Sequence, residues 1–172
     1  MDTCVKLAFD TIKGYLNSKE LPDTKKIAPE LLNKKAGCFV SLHTKNDNAL
    51  RGCIGTILPT CKNLASEIMS NAMAACQDPR FEPVSKNECD NLNISVDVLS
   101  KPEAIASEKM LDPKKYGVIV KSSDGRIGLL LPDLEGIDSV EKQIDIARQK
   151  AGILPDEKIY LYRFTVERHE EK

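Results

Sequence analysis

Two pairs of strand-forming runs, each joined by a short turn, constrain the fold of this chain most. The first pair flanks Lys45-Asn46-Asp47-Asn48, a turn sequence because Asn and Asp tolerate left-handed backbone. The second pair flanks Ser123-Asp124-Gly125, and Asp-Gly is a strong hairpin signal. Short turns join antiparallel neighbours, whereas parallel strands need long crossover connections. The four runs are residues 37–44 and 50–58, then 116–121 and 126–131.

Three segments with apolar residues at helical spacing are interspersed with these strands. The first follows the possible caps Asp2 and Thr3, the second opens at Pro59-Thr60, and the third ends at Gly152. We also predict a half-exposed strand over 93–100, a linker or short helix over 102–113, and a final strand over 159–166 that runs into a charged tail. The pattern predicts an α+β fold, a mainly antiparallel sheet flanked by helices.

Composition excludes several classes of protein. The chain has 172 residues, the length of about one average domain, and 41% are hydrophobic, too many for a disordered chain. Its 25 Lys and Arg and 26 Asp and Glu give a net charge of −1, which argues against nucleic acid or an anionic membrane surface as a partner. No apolar stretch reaches the roughly 20 residues that cross a bilayer, and the N-terminus does not resemble a signal peptide. We therefore expect a soluble, cytoplasmic protein.

The cysteines do not show the spacing of a metal site. None of the six forms a C-x-x-C pair, and the two histidines, His43 and His169, are far apart. We expect no metal site, reduced cysteines that mostly pack as small buried hydrophobes, and a solvated His169 in the charged tail. The six are Cys4, Cys38, Cys53, Cys61, Cys76 and Cys89.

The segment Arg51-Gly52-Cys53-Ile54-Gly55 is the densest candidate site. Strand alternation places Arg51, Cys53 and Gly55 on one face, where a guanidinium favours the reactive thiolate. Two glycines in one strand indicate that something approaches the backbone closely. The group that approaches the glycines is either a ligand, whose carboxylate or phosphate Arg51 would bind, or a helix that packs nearby.

His43 is the candidate base for a Cys–His pair, and hairpin register decides whether it faces Cys53. A two-residue turn places His43 opposite Gly52 and away from the thiol. A three-residue turn places it on the face of Arg51 and Cys53. The turn sequence leaves both registers open, because a slip of one residue exchanges the faces.

Arg80, in Asp78-Pro79-Arg80-Phe81, is a candidate second cation. This segment follows the helix that leaves the glycine-containing strand, so it returns toward the same end of the sheet. Arg80 would then contribute to binding an anionic ligand. The alternative is an interaction between Asp78 and Arg80 that closes the helix end.

The chain resembles the AMMECR-type domain family, specifically the A proteins of the bacterial and archaeal AmmeMemoRadiSam system. The hallmark is LRGCIG at residues 50–55, and five further blocks follow in order almost to the end of the chain. The resemblance implies a single domain over 1–172 with two subdomains. A larger part contains both termini, a smaller part comes from the middle of the chain, and the hallmark strand faces a cleft between them. The further blocks are DPRF with Pro83, NISVDVLS, YGVIV with GLLLPDLEGID, SVEKQIDIARQKAGI and FTVER.

The resemblance does not imply an established reaction. Two functions are compatible with the sequence. The first is an enzyme or enzyme subunit, with Cys53 as nucleophile or redox thiol and with Arg51, Gly52, Gly55 and Arg80 around a small anionic molecule. The second is a non-catalytic module that docks on a Memo-type, extradiol-dioxygenase-like partner. The resemblance also implies a radical SAM protein as a companion.

Overall fold

The computed structural model describes residues 1–18 and 20–171, which form two compact units. Unit 1 comprises Met1–Leu99 and the chain from Glu167 onward, and unit 2 comprises Ser100–Val166. The larger unit therefore contains both ends of the chain and the smaller one comes from its middle, as expected. The helices are α1 (Thr3–Leu16), α2 (Pro29–Asn33), α3 (Leu64–Ala75) and α4 (Val140–Ala151). The strands are β1 (Cys38–Thr44), β2 (Leu50–Gly55), β3 (Leu92–Leu99), β4 (Glu103–Ile105), β5 (Gly117–Ser122), β6 (Ile127–Leu130), β7 (Ile159–Phe164) and β8 (Val166–Glu170).

Unit 1 is a four-stranded sheet in the order β2-β1-β3-β8, with one face covered by α1 and α3. The β1–β2 hairpin forms as predicted, and Asn48 in its turn has a φ of 55°. β2 ends at Gly55, three residues before the predicted end at Leu58. The core consists of aliphatic side chains with a few cysteines, because only 5% of the residues are aromatic.

The two long helices of unit 1 differ in how well their starts were predicted. The Asp2 side chain accepts the backbone N–H groups of Cys4 and Val5, so α1 begins at its predicted cap. The predicted start of the next helix at Pro59-Thr60 is wrong, since α3 begins at Leu64. The Glu67 carboxylate binds the backbone N–H of Thr60 at 2.9 Å, which keeps that segment in a loop.

The predicted charged tail is a strand. β8 extends the sheet beside β3, where Arg168 contacts the Asp97 carboxylate at 2.8 Å. This contact leaves Asp97 buried, so β3 is more buried than the half-exposed strand that we predicted. The expectation of a solvated His169 is also wrong, because its side chain is only 15% exposed and its Nδ1 lies 2.9 Å from Asp2 Oδ2.

Unit 2 is a second antiparallel sheet, in the order β4-β7-β5-β6, with α4 packed on β5 and β6. The helix ends at Gly152, whose φ of 65° is the left-handed conformation predicted for its cap. The predicted linker over 102–113 instead contains β4 and a short 3₁₀ helix, Glu108–Met110.

The two ends of unit 2 are paired. The Ser100 N–H donates to the Thr165 carbonyl at 2.9 Å, and the Thr165 N–H donates to the Ser100 hydroxyl at 2.8 Å. In the two described ranges, no helix has both the length and the apolar character needed to cross a membrane.

Candidate functional site

The two faces of the unit 1 sheet have different chemistry. One face packs into the core through alternate buried side chains of β1 and β3, among them Val40, Leu42 and Val96. Alternation directs the intervening side chains to the other face, which we call the polar face. Its members are Phe39, Ser41 and His43 of β1, Cys53 and Gly55 of β2, and Asn93, Ser95 and Asp97 of β3.

A row of three hydroxyl and thiol side chains crosses the polar face. Cys53 lies opposite Ser41, and Ser41 lies opposite Ser95 on the next strand. The Ser41 hydroxyl and Cys53 Sγ are 3.2 Å apart, with the hydroxyl as donor. This contact orients the thiol and places a proton where negative charge on sulfur would develop.

His43 shares the polar face with Cys53, as in the second of the two predicted registers, but its pairing partner is one that neither register gave. From Phe39 to Leu42 the pairing places Ser41 opposite Cys53, and then it shifts by one so that His43 lies opposite Leu50. His43 is therefore a diagonal neighbour of Cys53 across the hairpin. Such neighbours lie about 7–8 Å apart at the backbone. Among the described residues, no hydrogen bond joins His43 to Cys53.

The backbone of Cys53 is bound by the segment that follows α3. Its N–H donates to Asp78 Oδ2 at 2.9 Å, and its carbonyl accepts from Arg80 Nη2 at 3.2 Å. The same Arg80 nitrogen lies 2.6 Å from Asp78 Oδ2. The hydrogen bond from Arg80 holds the pKa of Asp78 well below its usual range. The Asp78–Arg80 interaction considered above is thus present, and the Arg80 side chain is still 57% exposed.

All three guanidinium nitrogens of Arg51 donate hydrogen bonds to groups of the protein itself. Nε and Nη2 donate to the Glu88 carboxylate at 2.8 and 3.2 Å, Nη1 donates to the Glu82 carbonyl at 2.8 Å, and Nη2 also donates to the Pro83 carbonyl at 3.3 Å. The hydrogen bond from Arg51 lowers the pKa of Glu88 to about 2. The register shift falls at Arg51, so the alternation that would place it beside Cys53 is interrupted there. These contacts favour a role for Arg51 in holding residues 82–88.

Protein groups approach both glycines of the hallmark closely. An added Cβ at Gly52 would lie 2.3 Å from the Ala75 carbonyl oxygen of α3, and one at Gly55 would lie 2.2 Å from the Phe39 ring. The helix-packing alternative therefore accounts for Gly52. A ligand at either glycine stays a prediction.

The six thiols fall into two classes. Cys4, Cys38, Cys76 and Cys89 are buried, whereas Cys53 and Cys61 are half-buried. Burial raises the pKa of Cys4, Cys38 and Cys76 to about 12, which disfavours their thiolate forms where no cation is bound. Cys53 and Cys61 are therefore the candidates for covalent chemistry with a small molecule.

Sequence reasoning missed Glu67, a fully buried carboxylate next to the hallmark. It accepts hydrogen bonds from the Thr56 hydroxyl at 2.6 Å and from the Cys61 N–H at 2.7 Å, besides those from Thr60. Burial raises its pKa, but these hydrogen bonds outweigh burial and hold the pKa below the ordinary value. Its place between Leu64 and Ile68 on the inner face of α3 is the one sequence signal for its burial.

One group of side chains in the described part of unit 1 has the donor atoms of a metal site. Asp2, Cys4 and His169 have ligand atoms within 4.8 Å of one another. His169 is 167 positions from Asp2 in the sequence, so ligand spacing did not indicate the group.

Comparison with known proteins places the chain in a family. The family model described as AMMECR1 matches residues 5–169. A protein of Thermotoga maritima is 52% identical over 168 residues, which cover 96% of this chain and 95% of that protein. A protein of Clostridium acetobutylicum is 46% identical over 175 residues, but these cover 99% of this chain and only 36% of that longer protein.

A solved structure has the same fold. The crystal structure of an uncharacterized protein from Pyrococcus horikoshii matches with a TM-score of 0.88 and 36% identity, over 98% of this chain and 90% of that chain. The predicted α+β class and the resemblance to the AMMECR-type domain family are both confirmed. The chain belongs to the AMMECR1 family.

Proposed function

We propose that this protein is an enzyme, or a subunit of one, in which Cys53 is the reacting thiol for a small anionic molecule bound at the polar face. One observation carries the proposal. Cys53 is a half-buried thiol with a hydroxyl donor 3.2 Å from Sγ, and its backbone is bound on the outer edge of β2 by Asp78 and Arg80. A fixed backbone and an oriented sulfur are what a cysteine nucleophile or redox thiol requires.

The side chains around the sulfur have distinct roles in this proposal. Ser41 donates to Sγ and stabilises the thiolate, and His43, diagonal to Cys53, is the candidate base that takes the thiol proton. As a nucleophile, the thiolate forms a bond to an electrophilic carbon of the substrate, and the electron pair of the bond that breaks leaves with the displaced group or moves onto the neighbouring oxygen. As a redox thiol, it needs an oxidised sulfur compound as co-substrate.

Arg80 is the cation that we assign to the anionic group of the ligand. Asp78 accepts from Nε and Nη2, while more than half of the Arg80 side chain is exposed. Arg51 has a positioning role, because its guanidinium holds Glu88 and the carbonyls before it. The chemistry needs a reduced thiol, which supports a location in the cytoplasm.

The test compares the two half-buried cysteines, Cys53 and Cys61. Iodoacetamide labelling across pH, read by mass spectrometry, should modify Cys53 faster than Cys61 near neutral pH. A screen of small anionic metabolites should find a ligand that binds the wild type and is weakened in Cys53→Ser and Arg80→Gln, with Cys61→Ser as the matched control. Equal labelling of the two thiols, together with no ligand sensitive to either variant, contradicts the proposal.

A second function is favoured by the Clostridium relative, in which the matching region is about a third of a longer chain. A domain joined to further sequence in one organism often works beside a separate protein in another. We propose as the alternative a non-catalytic module that docks on a Memo-type partner of the AmmeMemoRadiSam system, with a radical SAM protein as a further companion. Titration calorimetry with the Memo-type protein of the same organism tests it, and binding that survives Cys53→Ser distinguishes docking from chemistry at Cys53.

A further inference from the structure

Asp2, Cys4 and His169 bring three kinds of metal-ligating group together where α1 begins beside β8. Their ligand atoms all lie within 4.8 Å of one another, and Asp2 Oδ2 is 2.9 Å from His169 Nδ1. Cys4 is buried, whereas the Asp2 side chain is 33% exposed. The cluster therefore has a buried ligand atom on one side and is accessible to solvent on the other.

The second ring nitrogen of His169 provides an independent observation. His169 Nε2 lies 3.3 Å from Glu167 Oε1, and Glu167 Oε2 is in turn 3.5 Å from Lys34 Nζ. Metal-binding histidines characteristically donate their other N–H to a carboxylate, which fixes the tautomer and the ring orientation. The Glu167 carboxylate lies at ion-pair distance from Nε2, without a hydrogen bond between the two in the described part of the chain, and Nδ1 faces Asp2.

The charges of the three groups match those of a divalent cation. An aspartate, a cysteine thiolate and a neutral imidazole together carry −2, so binding of a divalent ion leaves no net charge beside the core. Oxygen, sulfur and nitrogen donors in one site suit Zn²⁺, which accepts all three and prefers four ligands. Cys4 releases its proton on binding.

We propose that Asp2, Cys4 and His169 bind Zn²⁺, with a fourth position open to water. The bound ion links the first turn of α1 to the edge strand β8. Because the site requires both elements to be folded, zinc would stabilise the native state in proportion to its free concentration. This site is separate from the polar face, and its test does not depend on the function proposed for Cys53.

Cobalt provides the probe, because Co²⁺ replaces Zn²⁺ in tetrahedral sites and is visible by absorption. The experiment uses untagged protein, since a polyhistidine tag at either end of the chain would itself bind metal next to the cluster. Titration with Co²⁺ should give saturable 1:1 binding, with the d–d bands of a tetrahedral ion and a thiolate-to-cobalt charge-transfer band. Zn²⁺ should displace the cobalt and raise the melting temperature.

The variants are chosen to keep the fold. Asp2→Asn removes the charge but keeps a good helix cap, Cys4→Ser is nearly isosteric, and His169→Gln removes the imidazole. Each should weaken Co²⁺ binding at least about tenfold, and Glu167→Gln about tenfold, as expected for an outer partner. Cys61→Ser, a half-buried thiol in the loop before α3, should leave the affinity unchanged.

Two results overturn the proposal: no saturable 1:1 binding by the wild type, or unchanged affinity in Cys4→Ser and Asp2→Asn. Circular dichroism establishes that each variant is folded. If Cys4→Ser fails to fold, the affinities of Asp2→Asn and Glu167→Gln for Co²⁺ test the proposal instead, because both variants change partly exposed side chains. Equal loss of binding in Cys61→Ser would also overturn the assignment.

Discussion

The Asp78 carboxylate accepts the backbone N–H of Cys53 at 2.9 Å, although 25 residues separate the two in sequence. Arg80 binds the Cys53 carbonyl from the same side. β2 is the edge strand of its sheet, and edge strands expose unpaired N–H and C=O groups. Asp78 and Arg80 thus bind Cys53 where another strand would, and they hold the candidate thiol in place.

Replacing Asp78 should destabilise the protein strongly. Its side chain is 1% exposed, so Asp78→Ala leaves the Cys53 N–H without an acceptor and Arg80 without its carboxylate. We expect a loss of about 2–4 kcal/mol in the free energy of unfolding, measured by urea denaturation at pH 7. Arg80→Gln is the comparison and should cost less, because Arg80 is more than half exposed. Equal costs for the two variants would contradict this account.

The Arg51–Glu88 pair should make stability depend on acid pH. Arg51 lowers the pKa of Glu88 to about 2, below the ordinary value of 4.5. A lowered folded-state pKa stabilises the protein above the unfolded-state pKa, and this stabilisation is lost as the pH falls from about 4.5 toward 2. Since Glu88 is about a third exposed, we expect about 1 kcal/mol. Denaturation of Glu88→Gln and wild type should differ by this amount at pH 6 and converge near pH 2.

Gly52→Ala should be poorly tolerated. The new Cβ would lie 2.3 Å from the Ala75 carbonyl oxygen, a backbone atom that cannot move without shifting α3. We expect a loss of about 3 kcal/mol in the free energy of unfolding. Gly125→Ala is the matched control. Its Cβ would meet nothing within 4 Å, so it should cost only about 1 kcal/mol through its φ of 92°. Similar costs at the two positions would exclude the steric explanation.

Glu67→Ala should loosen the loop that follows β2. Truncation removes the carboxylate oxygen that accepts the N–H groups of Thr60 and Cys61, so both donors lose their present acceptor. We expect a loss of about 2–3 kcal/mol in stability and faster hydrogen exchange at those two amides. Unchanged exchange at Thr60 and Cys61 would show that other contacts hold the loop.

Ser41→Ala should slow alkylation of Cys53. The hydroxyl is 3.2 Å from Sγ, and its loss removes the donor that stabilises negative charge on sulfur. We expect the iodoacetamide rate at neutral pH to fall severalfold. The control is Ser95→Ala, which removes a hydroxyl from the next strand in the same row and should leave the rate nearly unchanged. Faster labelling in Ser41→Ala would mean that the hydroxyl shields the sulfur instead.

Elements with local signals were predictable from sequence. α1 starts at its Asp2 cap, α4 ends at Gly152, and the first hairpin turns at Asn48, because caps and turns depend on a few adjacent residues. The start of α3 was not predictable, since it depends on the Glu67 carboxylate reaching back to Thr60. β8 was missed because its charges are satisfied only by distant residues, and Arg168 pairs with Asp97 from 71 residues away.

The candidate site was located by sequence, but the partners of its charges were not. The hallmark and the Asp78–Arg80 segment do meet at Cys53, as their order along the chain suggested. Arg51 was predicted to face a ligand, and its contact with Glu88, 37 residues away, has no local signature. A one-residue register shift also changes which side chains share a face, and alternation alone cannot reveal such a shift.

The hydrogen bonds between Ser100 and Thr165 affect how the fold tolerates changes in chain length. They close the chain between these positions into a loop whose two ends are adjacent. The entropy of closing a loop grows only slowly with its length, by about 0.6 kcal/mol for each doubling. Extra residues in the connections between the strands and helices of unit 2 therefore add little to the entropic cost of holding Ser100 and Thr165 together. The two ends of unit 2 can stay adjacent while its connections differ in length.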